Sequence, residues 1–265
     1  MIHPRVCLHQ VAFMSSSTAE FMGFCREVGI PNVTLATPLI RQGDLDGVLD
    51  GGPRIAVINH LLTPGSDLEQ AGEAETAALA NAIATAEQAG ADALYLVSGG
   101  RGALSWEAAA QRFTALVEPC KALAEAAGVR LLVEPAMGFN ADIHIAHTFD
   151  DTVKLAGIAG IDLCIDLQQV WFESEIESRI AKAMPDCGLV QVSDYVYGDK
   201  TTPCRAVPGD GAIPLETLIA ATLEAGYEGL FDLELTGPRI AAEGERSASL
   251  RAAERLSDML ERMGA

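Results

Sequence analysis

Residues 160–166 read Gly-Ile-Asp-Leu-Cys-Ile-Asp: a glycine, a short run rich in aliphatic side chains, and a carboxylate where the run stops. The run has the length of a buried strand rather than a helix, and the glycine before it suits the left-handed residue that ends a helix. The unit recurs: Gly128 precedes Val-Arg-Leu-Leu-Val-Glu134, Gly226 leads into a run ending at Glu234, and Gly90 opens the run 91–97. This is a recurring helix-glycine-strand joint and not a true sequence repeat.

Outward from that joint, candidate strands fall at 5–13, 32–36, 54–59, 91–97, 129–134, 161–166, 188–193 and 229–234, separated by longer, Ala-rich stretches. Trp106, Ala110, Phe113, Val117, Cys120 and Ala124 recur at three- and four-residue spacing, which predicts a helix with one apolar stripe. Pro119 lies within it and predicts a kink or a split. Thr148 with Asp151 three residues on predicts another helix start. Eight alternations without an Asn-Gly hairpin signal imply parallel strands joined by crossovers, and eight closes a barrel. An open doubly wound sheet would announce itself by a Gly-rich first turn, whereas Met-Ser-Ser-Ser follows the first strand. The expectation is an α/β fold, a (β/α)₈ TIM barrel, with 1–265 as a single domain.

Composition agrees. Hydrophobic residues make up 49% of the 265 residues and aromatics only 5%, so the apolar surplus is aliphatic, as buried parallel strands and Ala-rich helices require. The 37 acidic against 18 basic residues give a formal charge of −19, without the basic face that a phosphodiester backbone demands, so no nucleic acid is expected as a partner. The six cysteines show no C-x-x-C spacing, which argues for buried thiols over a disulfide framework or thiolate zinc site. The first 14 residues mix His, Pro, Arg and Gln with apolar residues and do not read as a signal peptide, and no apolar run is long enough for a bilayer. A cytoplasmic protein without membrane attachment is expected.

The C-terminal ends of barrel strands carry the chemistry. Here the fifth ends at Glu134, the sixth at Asp166, the seventh holds Gln191 and the eighth ends at Glu234. A single acid closing an apolar run can simply reach water. Four consecutive strands, each ending with an oxygen donor, are better explained by one shared cation.

These residues and their surroundings resemble the xylose-isomerase-like barrels, a superfamily of sugar isomerases, ketose 3-epimerases, inosose and dehydroshikimate dehydratases and endonuclease IV-type enzymes. The marks are Glu134-Pro, Gly-Ile-x-Leu-Cys-Ile-Asp166, Gln191-Val-Ser-Asp194, Arg205-x-x-Pro-Gly-Asp-Gly211 and Gly226-Tyr-Glu-Gly229 before Glu234. The resemblance spans essentially the whole chain. It implies a divalent metal held by Glu134, Asp166, Gln191 and Glu234, with Glu134 and Glu234 also moving protons beside a substrate carbonyl. The chain departs from the ketose epimerases at Gln191, where they carry His, and at Gln169, where they carry another. It also has Ser193 where dehydroshikimate dehydratases often carry Lys. With Gln191 the first shell is all oxygen, which favours a hard ion, Mn²⁺ or Mg²⁺, over Zn²⁺.

The reaction that follows is isomerisation or epimerisation of a keto-sugar or polyol-derived ketone through an enediolate. The alternative is a lyase that dehydrates a cyclic keto-polyol. Candidate substrate-binding residues are Arg205, matching the family's Arg, Arg101 after Ser98-Gly-Gly, His60 closing the third strand, Gln169, and His144 in the loop after the fifth strand. The expected partner is a small polyhydroxy ketone without an obligatory phosphate, since no Walker-type loop is present. A homo-oligomer is compatible with the sequence.

Overall fold

The computed structural model describes residues 1–41, 45 and 51–265. Among them, eight parallel strands close in the order β1 to β8: Val6–His9, Asn32–Ala36, Arg54–Leu61, Ala93–Val97, Arg130–Val133, Asp162–Asp166, Cys187–Val192 and Phe231–Leu233. The expected TIM barrel is therefore the observed fold. The helices are α1 (Thr18–Val28), α2 (Glu73–Ala89), α3 (Trp106–Ala127), α4 (Phe149–Ala159), α5 (Leu167–Val170), α6 (Ile176–Ala183), α7 (Leu215–Glu224), α8 (Pro238–Glu243) and α9 (Glu245–Met263). After β2 the described residues hold a short 3₁₀ turn, Thr37–Leu39; residues 42–44 and 46–50 of that connection lie outside the described ones.

Strands such as β1, β2 and β4 are almost wholly buried on both faces, because helices cover the outside and side chains fill the inside. Three of the four glycine joints behave as the sequence predicts: Gly90, Gly128 and Gly160 cap α2, α3 and α4 in the left-handed conformation, whereas α7 is capped by Ala225 and Gly226, with φ +90°, lies one residue beyond. Thr148 caps α4, its hydroxyl accepting the Asp151 N–H at 3.0 Å.

One expectation is corrected: the first strand stops at His9, not residue 13, because the His9 Nδ1 accepts the Val11 N–H at 3.0 Å and starts a 3₁₀ turn over Gln10–Phe13. Of the two outcomes expected of Pro119, a kink or a split, the split does not occur: α3 is continuous over Trp106–Ala127. The helix is held to α2 by hydrogen bonds from Thr76 Oγ1 to the Leu116 carbonyl (3.1 Å) and from the Cys120 thiol to the Thr76 carbonyl (3.4 Å).

Close contacts divide the chain into two compact units, Met1–Ala56 with Asp166–Pro185 and Leu189–Ala265, and Val57–Ile165 with Asp186–Gly188. In the first, Phe13 packs its ring 5.2 Å from Phe21 and 5.0 Å from Phe24. Tyr227 locks β7 to β8: its hydroxyl accepts the Val190 N–H at 3.0 Å and donates to the Leu230 carbonyl at 2.6 Å. In the second unit, Ala-rich α2 packs on α3, and α3 on α4. All six cysteines are buried free thiols. Among the described residues no helix is long and apolar enough to cross a membrane.

The Tyr227 lock explains the Gly-Tyr-Glu-Gly stretch. A Cβ on Gly229 would stand 2.6 Å from the Tyr227 hydroxyl oxygen and 2.7 Å from the ring carbon bearing it, and that oxygen is pinned by two hydrogen bonds. Gly229→Ala should destabilise the fold by about 1–3 kcal/mol, the usual range for overpacking. Chemical denaturation should show a lower midpoint with an unchanged slope.

Candidate active site

Three of the four strand-end residues, with Arg205, lie in the first compact unit. Asp166 ends β6 and caps α5: its Oδ1 accepts the Gln168 N–H at 3.0 Å. That leaves Oδ2 for Arg205, whose Nη2 donates to it at 2.6 Å. The same nitrogen lies 3.0 Å from Oε1 of Glu234, and Nη1 donates to Ser193 Oγ at 2.9 Å. Gln191, on β7, donates through Nε2 to the other Glu234 oxygen at 2.7 Å. Asp166 and Gln191 are fully buried, and the Arg205 side chain is only 5% exposed. Burial pushes the Glu234 carboxyl up to about 7; Arg205 opposes this and the Asp166 charge adds to it.

Arg205 is aimed by its loop. Asp194 exchanges backbone hydrogen bonds with Ala206, 2.9 and 2.8 Å, fixing the residue next to Arg205. The buried Asp194 carboxylate then collects four backbone N–H groups: Tyr195 at 2.8 Å and Ile213 at 3.1 Å on Oδ1, Gly209 and Gly211 at 2.9 Å on Oδ2. A Cβ on Gly211 would sit 2.3 Å from both Asp194 Oδ1 and the Tyr195 carbonyl oxygen, so only glycine fits. The Arg-x-x-Pro-Gly-Asp-Gly motif is thus a loop wound around one carboxylate.

Below the carboxylates, Asp232 stands beside Cys7 in the β1–β8 register and beside Gln191 in the β7–β8 register. It is fully buried, and burial raises its carboxyl above the ordinary range. His9 is fully buried as well. Accepting from Val11 at Nδ1 leaves the proton on Nε2, and burial, opposed by the charge of Asp232, holds its pKa down at about 4, so the ring is neutral at pH 7. Gln169 lies nearly buried on α5. Trp171, Phe172, Tyr195 and Tyr197 form an aromatic group with neighbouring rings 6.2–6.4 Å apart, in which Phe172 and Tyr197 are exposed. Arg239 pairs on the surface with Asp199 at 2.8 Å.

In the second unit Glu134 follows β5 and is 8% exposed. His144 holds this strand end. Its Nδ1 accepts the Ser98 N–H at 3.2 Å and lies 2.6 Å from Ser98 Oγ, while its Nε2 meets the Glu134 carbonyl oxygen at 2.5 Å and must be the donor there. Burial keeps His144 neutral, with a pKa of about 4. His60 on β3 is nearly buried, and its pKa is also lowered to about 4 by burial. His147 meets the Ala136 carbonyl at 2.9 Å.

Arg101 is exposed in its loop. The glycines before it serve packing: a Cβ on Gly99 would stand 1.8 Å from Thr63 Oγ1, and one on Gly100 2.7 Å from the Asp142 carbonyl oxygen.

Sequence reasoning passed over the roles of Asp194, Ser193 and Asp232. Asp194 had a signal, an acid followed at a short distance by Pro-Gly-Asp-Gly, and Asp232 had one in its position two residues before Glu234 within an apolar strand.

Among the described residues no three His, Cys, Asp or Glu side chains converge at metal-ligand spacing. The donor set nevertheless fits a cation, because one nitrogen of the Arg205 guanidinium already contacts oxygens of both Asp166 and Glu234.

The family model described as xylose isomerase-like TIM barrel matches residues 9–262, and the chain belongs to that family. No curated protein matches it by sequence. Solved structures of the same fold include protein SMc04130 from Sinorhizobium meliloti 1021 (20% identity, TM-score 0.81, 97% of this chain and 98% of that one). The IolI protein with a bound zinc atom aligns at 16% identity and TM-score 0.82, over 97% and 98% of the two chains. D-psicose 3-epimerase from Clostridium cellulolyticum H10, solved with D-tagatose, aligns at 14% identity and TM-score 0.77, over 96% and 98%.

The loop around Asp194 offers a direct check. In Asp194→Asn an NH₂ group would replace one oxygen and face two N–H donors, leaving buried groups unsatisfied at a cost of about 2–4 kcal/mol. Urea denaturation should show this loss.

Proposed function

We propose that the protein is a divalent-metal-dependent isomerase or epimerase of a small polyhydroxy ketone, with Glu134, Asp166, Gln191 and Glu234 as metal ligands and Glu134 and Glu234 as the proton-moving pair. The observation that carries this reading is the convergence of the Asp166 and Glu234 carboxylates on one cationic atom inside a buried, polar strand-end site. Family membership supports it, as does the position of the four residues at or next to the C-terminal ends of the consecutive strands β5 to β8.

When bound, the metal supplies a Lewis acid for a substrate carbonyl and its adjacent hydroxyl, and the all-oxygen donor set favours Mn²⁺ or Mg²⁺. The chain's own residues do the rest. Glu234, whose carboxyl burial brings near neutrality, suits the exchange of a proton with the carbon next to the carbonyl. As that C–H bond breaks, its electron pair moves into the carbonyl, giving an enediolate, and Glu134 returns a proton from the other side. Arg205 offers its guanidinium to a substrate oxygen, and Gln169, His60 and Arg101 offer further donors in the wider reading of the site; His144, expected among them, has both ring nitrogens committed to Ser98 and the Glu134 carbonyl and positions the strand end instead. The aromatic group of Trp171, Tyr195 and Tyr197 supplies an apolar wall for a ring or carbon chain. Gln191, in place of the epimerase His, favours a second reading: the same intermediate expels a β-hydroxyl and the product is a dehydrated ketone.

The test is proton exchange. The Mn²⁺-loaded protein, incubated in D₂O with ketohexoses, inososes and dehydroshikimate, should incorporate deuterium at the carbon next to the carbonyl of one class, as read by NMR. An epimer or isomer as product supports the first reading; a dehydrated product supports the second. Glu134→Gln and Glu234→Gln should each slow exchange by about 10²–10⁴-fold, the usual weight of a positioned acid or base. Exchange at the wild-type rate in both variants would remove the two glutamates from the mechanism.

A further inference from the structure

The Arg205 guanidinium does more than approach the carboxylates. A single nitrogen, Nη2, is 2.6 Å from Asp166 Oδ2 and 3.0 Å from Glu234 Oε1, and Nη1 is anchored on Ser193 Oγ at 2.9 Å. Asp166 is fully buried and its other oxygen is committed to the Gln168 N–H, so Oδ2 is the one it can offer a cation. Glu234 is similarly constrained, with one oxygen on Gln191 and the other on Arg205. Two carboxylates this close would repel each other strongly out of water, and the shared guanidinium offsets that repulsion. The Asp194 loop holds the arginine in this position from behind.

A divalent ion held by the same two oxygens would compete for the space in front of them. A second cation cannot keep both contacts: it would be crowded by the ion and repelled by its double charge. We propose that Arg205 is the resident counter-cation of the Asp166–Glu234 pair, and that a divalent ion and this guanidinium hold the two carboxylates in exclusive alternation. The inference rests on the metal-site reading given above. It has three consequences. The fold does not need metal to neutralise its buried acids, the wild-type affinity for metal is weakened by the contacts that must be broken, and the guanidinium turns towards a substrate oxygen only once metal is bound. Metal would then bind before substrate.

The experiment combines calorimetry with arginine NMR. Mg²⁺ and Mn²⁺ are titrated into the wild-type protein, Arg205→Gln and Arg205→Lys. The glutamine variant should bind at least about tenfold tighter than wild type, with lysine, which keeps the charge but not the fork, in between. In ¹⁵N-arginine spectra of the metal-free wild-type protein, one guanidinium should show slowed rotation about its Nε–Cζ and Cζ–Nη bonds, and that signal should be absent in Arg205→Gln. Saturating Mg²⁺ should abolish the slowed signal.

Equal or weaker metal binding by the glutamine variant overturns the proposal. So does a guanidinium that stays clamped at saturating Mg²⁺, even if affinity rises, because the two cations would then coexist. If the glutamine variant does not fold, the wild-type NMR titration and the lysine variant still decide. Folded proteins that all fail to bind either ion at millimolar concentration would sink the metal-site reading itself, an outcome distinct from binding without displacement.

Discussion

Asp166 and Glu234 present oxygens to one nitrogen of Arg205 in a setting from which water is largely removed. Bringing two acids together there is unfavourable on two counts, desolvation and mutual repulsion, and breaking such an arrangement by removing one partner typically costs 3–5 kcal/mol. The surrounding architecture follows from that constraint. Asp166 gains a further donor by capping α5, Glu234 gains one from Gln191, and Arg205 is braced by Ser193. Each group closes a position that would otherwise leave a buried charge short of partners.

The brace extends further. Arg205 can satisfy both carboxylates only if its backbone is held still, and the Asp194 carboxylate does this by gathering four N–H groups of the following loop. The loop carries no ligand of its own, yet it determines where the positive charge sits. His144 does a comparable job in the other compact unit, where it ties the backbone of Glu134 to Ser98. Both His9 and His144 are buried, neutral, and fixed in one tautomer by a backbone N–H at Nδ1, which makes them directional donors rather than charges.

Much of the fold was legible in the chain. Gly90, Gly128 and Gly160 mark real helix ends because only glycine takes the left-handed cap without strain, and the aliphatic runs after them are strands because they are too short and too apolar for anything else. The misses came from local hydrogen bonding and packing that hydropathy does not record. His9 ends β1 early through its bond to Val11, and of the kink or split expected at Pro119 the split is absent, with α3 packed against α2. Gly99 and Gly100 make room for Thr63 and the 141–142 backbone, a contact between segments far apart in sequence that no local pattern announces.

The site divides along the same line. Sequence alone identified Glu134, Asp166, Gln191 and Glu234 as polar groups closing consecutive strands, because strand periodicity and a parallel barrel dictate where such residues must lie. It also singled out Arg205 through the motif that follows it. Only the tertiary structure decided what these groups do to one another. That Arg205 bridges Asp166 and Glu234, that Ser193 receives its second nitrogen, and that Asp194 gathers the N–H groups of the loop are all outcomes of contacts between residues up to 39 positions apart. A linear pattern encodes which side chains reach one end of a barrel; the pairing among them is set by desolvation and geometry, which exist only once the barrel has closed.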